Sequence, residues 1–491
     1  MPDAAAEGAA AGRGPAPRRI VIVGAGVSGL SAAAALERLL PAGSEITVLE
    51  AEGRVGGNIE TVHDAGYTFD GGPDSWVVTK PHAHALAKRL GVDGDLIGTN
   101  PDTRKVYIAH QGRLHSMPEG LVLGVPTEIT PMLQTDLFSW DQKLRMGLDL
   151  LTPRKVFGPN DDESISAFVT RRLGEDVADR LVGPLLSGIF AGDADELSIR
   201  ASFPQFVDAE AKYGSLILAM RAQMKERQKA RPEGAATPSM FSTMKGGLGD
   251  FIDALFRSLK TTQVKLRQRV SEVRPSVGAE RALGRYMVHT EGSALPADAV
   301  LITSPLYATA RMLKNVAPSV SAQLSAFRYA STATLFLGYR EDQVPRALDA
   351  TGFIVPRSAG SPLLASTWVS SKWAGRAPEG HVLLRVFFGG ARGASWAHES
   401  DEALLRVARR ELATFMDIEA TPQTFRVFRF VDRSPQPYVG HLGRVAKLRA
   451  GLLEHPGLFV VANGLDGAGI PDCIKHAEMA AESMAALGPP G

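Results

Sequence analysis

The sequence predicts an α/β fold in which one parallel-sheet domain is assembled from distant segments of the chain. A β-branched run at 18–23 precedes a glycine-rich turn, an alanine-rich helix at 31–40 and a second strand that ends at Glu50. Such runs are typical of buried parallel strands, so these residues predict a βαβ unit. The stretch from about 120 to 230 has apolar residues at helical spacing, and a final helix begins near 473. Further strands are predicted at 264–270, 285–290, 299–303, 333–339, 381–388 and 458–463.

Length and composition limit the class of protein. A chain of 491 residues is too long for a single hydrophobic core, so we expect two or three domains. Its 54 Lys and Arg residues balance 53 Asp and Glu residues, which argues against nucleic acid as a partner. The single cysteine, Cys473, excludes an intrachain disulfide and CxxC motifs, and the histidine spacing predicts no metal site.

The sequence predicts no membrane-spanning segment. Residues 1–17 are rich in Ala, Gly and Pro and lack the apolar run of ~7–15 residues that a signal peptide needs, so we expect a disordered tail. No stretch of ~18 uncharged apolar residues occurs. The stretch 121–151 mixes apolar residues with Trp140 and scattered charges, which fits either a lid over an apolar channel or docking on a bilayer surface. We predict a cytoplasmic protein, with peripheral association at the inner face of the membrane left open.

The glycine-rich turn after the first strand has the spacing of a dinucleotide-binding motif. Gly24 permits a tight turn, Gly26 lets the backbone approach a pyrophosphate, and Gly29 lets the helix pack on the strand. Val27 and Ser28 lie between these glycines, where the N–H groups of a helix N-terminus favour phosphate. The turn therefore predicts a bound dinucleotide; a plain βαβ turn without a ligand is the alternative.

An acidic residue follows at the distance that this motif requires. Glu50 lies about 20 residues after the glycine turn, at the end of the second strand. A carboxylate at this position accepts hydrogen bonds from a ribose 2′-hydroxyl and repels a 2′-phosphate. The sequence therefore disfavours NADP.

Further segments distinguish FAD from NAD. The runs RVGGN (54–58) and GGPD (71–74) resemble the second glycine motif of the amine-oxidase-type flavoprotein superfamily. Val270 and the run at 460–481 resemble that superfamily's contacts at the adenine edge and at a closing helix that points at the flavin. The resemblance implies FAD, with Arg54 on the phosphate side unless it is a surface arginine. The cofactor contacts that it implies in these segments are Arg54, Gly57, Asn58, Gly71, Gly72, Pro73, Asp74, Val270, Gly469, Ile470 and Pro471.

The same resemblance implies a division into three domains. A Rossmann-like FAD-binding domain is built from discontinuous segments, and it is joined by a mixed β-sheet substrate domain and an inserted α-helical domain. The FAD-binding domain is expected at 18–80, 240–305 and 445–487. The substrate domain is expected at 81–118 and 306–444, and the helical domain at 119–239.

Four segments carry a more specific resemblance, which runs over nearly the whole chain. The segments GPDSW (72–76), RKVYIAHQGRLHSMP (104–118), GIFAGDADELSIRASFP (188–204) and GIPDCI (469–474) resemble the family of oxygen-dependent protoporphyrinogen oxidases and coproporphyrinogen III oxidases. The resemblance implies oxidation of a porphyrinogen to the porphyrin by FAD and O2, with release of H2O2, in heme biosynthesis. Whether the substrate is protoporphyrinogen IX or coproporphyrinogen III stays open.

The resemblance also implies which residues anchor the acidic arms of the substrate. Arg104 would pair with a propionate, since guanidinium and carboxylate form strong bidentate contacts, unless it is a surface arginine at a strand edge. Lys80 would be a second anchor or an ordinary exposed lysine. An extra anchor would favour coproporphyrinogen III, which carries two more propionates than protoporphyrinogen IX.

Other residues are implied to hold the macrocycle. Gly188 and Gly192 would bring the ring close to backbone carbonyls, or would simply end a helix. Ile354 and Phe387 would sandwich the ring, or would belong to the core. No catalytic general base is expected, because the flavin carries the hydride chemistry and the protein mainly positions the substrate.

Three other functions remain in competition. A flavin amine oxidase would share the FAD segments but show paired aromatic residues late in the chain, where Leu465 and Asp466 stand here. A carotenoid desaturase would use the same cofactor fold. A non-enzymatic FAD-binding scaffold of the heme pathway would bind FAD but would not reduce it with any substrate. The oligomeric state is not determined by the sequence, and a homodimer stays open.

Overall fold

The computed structural model describes residues 17–122, 124–229 and 239–487. The predicted disordered tail, except for its last residue, lies outside these ranges. The described residues form a five-stranded parallel sheet, a seven-stranded mixed sheet and many helices, several of which are concentrated between residues 129 and 229. This arrangement confirms the predicted α/β class.

The parallel sheet has a core on each of its two faces. Its central strand, Arg19–Val23, is apolar from Ile20 onward, because side chains alternate along a strand and both faces are covered. Ile22 packs in the core on one side and Val21 in the core on the other. Across the sheet the strands run in the order Gln263–Lys265, Glu45–Leu49, Arg19–Val23, Ala299–Ile302 and Leu458–Val460.

Different elements cover the two faces. The helices on the Ile22 side are Val27–Leu39, His82–Leu90, Leu248–Ser258 and Ile470–Ala485. The Val21 side is covered by the helices Leu306–Leu313, Pro318–Ser325 and His441–Leu452 and by the antiparallel strands Val270–Pro275, Tyr286–Thr290 and Ala294–Ala297. Strands from the start, middle and end of the chain pair in this sheet. The parallel-sheet domain is therefore built from discontinuous segments, as in the predicted fold class.

The second large sheet is mixed. In order across the sheet its strands are Thr424–Gln436, Arg328–Arg340, His381–Gly389, Leu363–Trp368, Ala350–Ile354, Lys105–His110 and Arg113–Ser116. Ala350–Ile354 pairs in parallel with Lys105–His110, and the other pairs are antiparallel. One face packs on the helix Asp401–Met416. Part of the opposite face packs on Tyr67, Phe69 and Trp373, and another part forms a wall of the cavity described in the next section.

Small elements join the two large sheets. Three strands, Trp76–Val77, Phe241–Met244 and Leu96–Gly98, form an antiparallel sheet beside the first core. Two more, Thr61–Asp64 and Tyr67–Asp70, form a hairpin. The hairpin leads directly into the GGPD loop, because residues 71–74 follow on its second strand.

The stretch between about 120 and 230 is mostly helical, as its apolar spacing predicts, after a small pair of strands, Leu121–Val122 and Val125–Pro126. Its helices are Ile129–Gln134, Trp140–Gly147, Ile165–Leu173, Glu175–Val177, Gly183–Phe190, Ile199–Ser202, Pro204–Tyr213 and Leu216–Lys229. They share one apolar core, and a π-helical turn, Ala178–Val182, joins two of them. Among the described helices none is long and apolar enough to cross a membrane. The division of the chain into three domains stays a prediction.

Some predicted element bounds are wrong. Residues 264–270 are two strands rather than one, because Arg267 adopts φ +56° and breaks the run after Lys265. Val270 therefore begins a strand instead of ending one. The final helix begins at Ile470 rather than near residue 473, since a proline in the first turn of a helix loses no hydrogen bond.

Candidate active site

One cavity of about 1660 Å³ connects the parallel sheet with the free face of the mixed sheet. Val23, Leu49 and Thr303, at the carboxyl ends of three neighbouring strands, lie in its wall. Open α/β sheets bind ligands at this edge. The volume exceeds the ~300–1,000 Å³ of an ordinary ligand pocket, so the cavity has room for a cofactor and a substrate together.

The glycine turn is shaped by close backbone contacts. Gly24 adopts φ +105°, a conformation that favours glycine, and its N–H donates to the carbonyl of Leu49 at 2.8 Å. A Cβ built on Gly29 would lie 1.9 Å from the carbonyl oxygen of Gly24, so this position admits no side chain. Both glycines are thus required for the first helix to start directly above the strand.

A second glycine loop lies against the first. The N–H of Gly56 donates to the carbonyl of Ala25 at 2.8 Å, and a Cβ on Gly57 would lie 3.3 Å from the Cα of Gly26. No side chain caps the helix Val27–Leu39, so its first N–H groups remain available to a ligand. The two loops therefore form a cradle of backbone groups, which fits a pyrophosphate.

Glu50 is held in place by backbone donors. Its carboxylate is 8% exposed and accepts the N–H of Ala25 at 2.7 Å and the N–H of Glu52 at 2.8 Å. Each carboxylate oxygen can accept more than one hydrogen bond. The side chain can therefore still bind a ribose hydroxyl from its place in the cavity wall.

Arg54 contacts its own loop. Its guanidinium donates to the carbonyls of Gly57 at 2.7 Å and Ile59 at 3.0 Å, and it pairs with Glu60 at 3.0 Å. These contacts fix the bend that brings Gly57 to the glycine turn. A contact between Arg54 and a phosphate stays a prediction.

Most of the predicted cofactor residues meet at this cavity. Those in its wall are Gly24, Gly26, Val27, Ser28, Glu50, Arg54, Gly57, Asn58, Gly72, Pro73, Asp74, Val270 and Ile470. Four lie behind the wall: Gly29, Gly71, Gly469 and Pro471. The cradle, the carboxylate at the strand end and the room beyond them fit FAD.

The GGPD loop carries a buried carboxylate. Asp74 accepts hydrogen bonds from the ammonium of Lys372 at 2.8 Å, the indole N–H of Trp373 at 3.0 Å and the hydroxyl of Ser75 at 2.7 Å. Burial alone would raise the pKa of this carboxyl, but Lys372 and Arg385 outweigh burial and hold the pKa well below its usual range. Asp74 is therefore ionised at neutral pH.

The mixed sheet supplies the floor of the other half of the cavity. Strand register places Thr334, Phe387, Ala365 and Ile354 in one row across four strands. Side chains on one face of a sheet lie two residues apart, so Arg385 shares the face of Phe387. All five residues line the cavity. The floor combines apolar surface with a hydroxyl and a guanidinium.

Arg385 was missed in the sequence analysis. It is 5% exposed and donates to the carbonyls of Gly71 at 2.6 Å and Gly72 at 2.8 Å, while its guanidinium lies 4.5 Å from the centre of the Phe387 ring. Burial lowers its pKa to about 10, and the Asp74 carboxylate opposes this shift. A single charged residue within the apolar run HVLLRVFF was a sequence signal for such a buried contact.

Four of the six predicted substrate-positioning residues lie in the cavity wall. They are Arg104, Gly188, Ile354 and Phe387. Gly188 does not end a helix, because it lies within Gly183–Phe190, and a Cβ on it would meet nothing within 4 Å. The backbone of the helix is therefore exposed to the cavity at Gly188.

The roles of Lys80 and Gly192 toward the substrate stay predictions. Neither residue is part of the cavity wall. The ammonium of Lys80 pairs with both carboxylate oxygens of Asp472, at 2.6 and 2.8 Å, which draws it toward the final helix. A Cβ on Gly192 would lie 2.6 Å from atoms of Leu197 and Gln436, so this glycine serves packing behind the wall.

Comparisons with known proteins show the family of this chain. A family model for flavin-containing amine oxidoreductases matches residues 27–485. A coproporphyrinogen III oxidase of Bacillus subtilis is 36% identical over 94% of this chain and 97% of its own length. A chloroplast protoporphyrinogen oxidase of Nicotiana tabacum is 29% identical over 94% of this chain and 84% of its own length.

A solved structure shows the same fold. A protein of Exiguobacterium sp. 255-15, provisionally named a protoporphyrinogen oxidase, superposes with a TM-score of 0.84 at 32% identity, covering 96% of this chain and 99% of its own. The FAD predicted from the glycine motifs is thereby confirmed as the cofactor. The chain belongs to the family of flavin-containing amine oxidoreductases and is an FAD-dependent oxidase.

Proposed function

We propose that this oxidase converts a porphyrinogen to the porphyrin in heme biosynthesis, with O2 as electron acceptor and H2O2 as the second product. The observation that carries the proposal is the cavity, which continues from the nucleotide cradle into a second half with apolar walls and a cationic end. A porphyrinogen combines a large apolar ring with carboxylate arms. The named relatives from Bacillus subtilis and Nicotiana tabacum support the same substrate class.

The residues of the chain position the substrate and exclude water. When bound, FAD supplies the hydride acceptor, and the protein contributes orientation. Phe387 and Ile354 offer apolar surface to the ring, and Arg104 offers a guanidinium to a carboxylate. The open backbone at Gly188 leaves space for a close approach of the ring.

The charges of the cavity disfavour an amine substrate. Lys372 and Arg385 face the carboxylate of Asp74 in this part of the wall. Asp70 also acts on Arg385 but is paired with the buried Arg376 at 3.3 Å, so three cations stand against two carboxylates. A protonated amine would be repelled by this excess of positive charge, whereas a carboxylate would be attracted. A carotenoid has no carboxylate, so a desaturase would gain nothing from these cations.

The direct test offers each candidate substrate to the purified holoenzyme. We expect porphyrin fluorescence and H2O2 to appear together with coproporphyrinogen III or protoporphyrinogen IX, and benzylamine or a polyamine to leave the flavin oxidised. Anaerobic flavin reduction by an amine but by neither porphyrinogen would reverse the assignment. No reduction by any substrate would support the scaffold interpretation instead.

An Arg104→Ala variant is expected to raise KM for a porphyrinogen by about tenfold or more and to retain FAD. A hydrogen bond to a charged group contributes about 1.5–3 kcal/mol, and 1.4 kcal/mol corresponds to a factor of ten. The measurement is steady-state kinetics together with the flavin absorbance of the purified variant. Arg113→Ala is the matched control, because its side chain is 68% exposed on the neighbouring strand. Unchanged kinetics in Arg104→Ala would contradict the anchor.

We also propose that the helical stretch docks this cytoplasmic protein on a membrane surface. Trp140 and Leu144 lie one helical turn apart on Trp140–Gly147 and are 66% and 73% exposed, and Leu151 and Val156 nearby in the chain are both 80% exposed. Exposed apolar side chains clustered in one segment mark a site that contacts lipid or another protein. If this surface does not bind lipid, the alternative partner is a second copy of the chain, which would make a homodimer.

A Leu144→Glu, Leu151→Glu double variant is expected to lose co-sedimentation with vesicles of phosphatidylcholine and phosphatidylglycerol by about tenfold or more. Burying one leucine side chain contributes about 1.5–3 kcal/mol. Leu453→Glu, at a residue 83% exposed on another helix end, is the matched control. If the double variant instead dissociates a dimer without any vesicle effect, the surface binds a second copy and the membrane proposal is wrong.

A further inference from the structure

The end of the helix Gly183–Phe190 forms a wall in the half of the cavity that we assign to the substrate. Gly188, Ile189 and Phe190 line the cavity there, and so does the next residue, Ala191. The last carbonyl groups of a helix have no partner within the helix, so groups outside the helix must bind them. The position of this wall therefore depends on contacts with other elements.

Gln436 supplies one of these contacts from the mixed sheet. It is the last residue of the strand Thr424–Gln436 and is 4% exposed. Its Nε2 donates to the carbonyl of Phe190 at 2.8 Å and to the carbonyl of Ser434 at 3.0 Å. These two acceptors fix the orientation of the amide, because only its nitrogen can donate to them. The amide thus joins the end of the helix to the sheet.

The residues that follow Phe190 are shaped by this contact with the sheet. A Cβ on Gly192 would lie 2.6 Å from Oε1 of Gln436, so the glycine leaves room for the amide. Ala191 adopts φ +48°, which is uncommon for a residue with a side chain. Its carbonyl accepts the N–H of Ala391 at 2.8 Å, from the loop after the strand His381–Gly389. A backbone conformation of this kind persists only where its surroundings hold it.

The ring of Phe190 anchors the same helix end in the helical core. It packs edge-on against the ring of Phe203, with 6.1 Å between the ring centres. Phe190 is therefore held by its ring on one side and by its carbonyl on the other. Because Phe203 belongs to the helical stretch itself, the carbonyl contact with Gln436 is the one that sets the distance from this helix end to the sheet.

The distance between helix and sheet matters for the reaction. Phe387 and Ile354 lie in the floor of the same half of the cavity, so a substrate in this half lies between the floor and the end of Gly183–Phe190. The reacting groups must be held in a defined geometry, and a misplacement of about 1 Å can cost about a hundredfold in rate. A residue that fixes the wall therefore acts on the rate without touching the substrate.

We propose that Gln436 is a positioning residue for the oxidation, because its amide fixes the cavity-facing end of Gly183–Phe190 and thereby the position of the substrate. This inference rests on the proposed function and deepens it. Gln436 is not among the described residues that line the cavity, so it acts through Phe190. Loss of the amide is expected to slow the reaction of bound substrate more than it weakens binding.

The first test is a Gln436→Met variant, which keeps the length of the side chain and removes the donor. We expect the rate of anaerobic flavin reduction at saturating porphyrinogen to fall about tenfold or more, and the Kd from the same titration to change less than about threefold. Gln423→Met is the matched control, because Gln423 precedes the other end of the same strand and its exposed amide bonds His381 at 3.0 Å. A wild-type rate in Gln436→Met, or a larger loss in binding than in rate, would overturn the proposal.

A Gln436→Glu variant separates the hydrogen bond from packing. Burial and the carbonyl oxygens of Phe190 and Ser434 disfavour an ionised carboxylate at this position, so the pKa of the new carboxyl is raised. The protonated side chain can donate to the Phe190 carbonyl, whereas the ionised one cannot. Relative to the wild type at each pH, we expect flavin reduction in Gln436→Glu to recover as the pH falls from about 9 to about 6, while Gln436→Met stays slow. The same pH profile in both variants would contradict a role of the hydrogen bond.

A measurement without substrate separates this inference from the proposed function. Hydrogen exchange of the Ala391 amide reports on the wall, because its N–H is bonded to the carbonyl of Ala191. We expect this amide to exchange about tenfold faster in Gln436→Met, with the parallel sheet unchanged. If neither porphyrinogen reduces the wild-type flavin but the exchange still increases, the proposed function fails and the hold of Gln436 on the wall is retained. Unchanged exchange would contradict this inference alone.

Discussion

A Gly29→Ala variant is expected to purify with little FAD and to unfold at a lower temperature than the wild type. A Cβ at this position would lie 1.9 Å from the carbonyl oxygen of Gly24 and 3.2 Å from Oγ1 of Thr303. The Gly24 carbonyl has little freedom to move, because the N–H of the same residue is bonded to Leu49 in the neighbouring strand. The helix must therefore shift away from the strand, which opens the cradle.

Two opposing effects decide the size of this result. Alanine is favoured over glycine inside a helix by about 1 kcal/mol, whereas forcing extra atoms into a packed site costs about 1–3 kcal/mol or more. With a backbone atom as the obstacle, the steric effect is larger. We expect the Kd of FAD to rise between about tenfold and a hundredfold, measured by titrating the apoprotein with FAD and following flavin fluorescence.

Gly443→Ala is the matched control for this prediction. Gly443 lies inside the helix His441–Leu452, and a Cβ built on it would meet nothing within 4 Å. This variant should retain FAD and gain stability, since only the helix preference acts there. A Gly29→Ala protein with full FAD content and the wild-type melting temperature would show that the close approach of helix and strand is not required.

The fold was predictable from the sequence where the signals are local. The strand Arg19–Val23, the glycine turn and the strand Glu45–Leu49 follow from β-branched runs and spacing within the first 50 residues. The first helix begins at Val27 instead of residue 31, because its first turn is built from the motif residues themselves. The break at Arg267 was missed, since nothing in the run 264–270 marks a left-handed residue.

The substrate half of the site was predictable only in part. Arg104, Ile354 and Phe387 were found through the resemblance, and they line the cavity. The resemblance implied Lys80 as a second anchor, but its ammonium pairs with Asp472, which is far along the chain. Lys372, which pairs with Asp74 in the cavity wall, was missed because its contacts with the GGPD loop and with the segment before Arg104 arise only when the strands are assembled.

An Arg172→Ala variant is expected to destabilise the helical stretch strongly. Arg172 is completely buried, and its guanidinium contacts the carboxylate of Asp149 at 2.6 Å and that of Glu210 at 3.3 Å. It also donates to the carbonyls of Thr152 at 2.9 Å and Gly214 at 2.6 Å. One side chain thus joins segments from 149 to 214 within a single core.

Removing the guanidinium leaves a buried charge without its partner. Asp149 is fully buried and, among the described residues, would keep the hydroxyl of Ser215 and the N–H of Ile217 as donors. Breaking a buried pair in this way costs about 3–5 kcal/mol. We expect a clear loss of stability in urea unfolding of the holoprotein, and faster hydrogen exchange at the Ile217 amide while the parallel sheet stays protected.

Exposed and paired replacements distinguish this effect from a general loss of charge. Arg340→Ala removes an ion pair with Asp342 that is more than half exposed, and such pairs contribute about 0–1 kcal/mol. An Asp149→Asn, Arg172→Met double variant leaves no unpaired charge between these two positions and should recover part of the lost stability. If Arg172→Ala is no worse than Arg340→Ala, the network does not hold these helices together.

The same network predicts how stability depends on pH. Burial raises the pKa of the Glu210 carboxyl, but hydrogen bonds from Arg171 and the backbone of Lys155 outweigh burial and lower it below its usual 4.5. A carboxyl whose pKa is lower in the folded than in the unfolded state stabilises the fold above the unfolded pKa, and this contribution is lost as the pH falls through the folded value. We therefore expect the amides of the helical stretch to lose protection from hydrogen exchange as the pH falls below about 4.5. In a Glu210→Gln variant the stability should depend less on pH in this acidic range, because the titrating group is then absent.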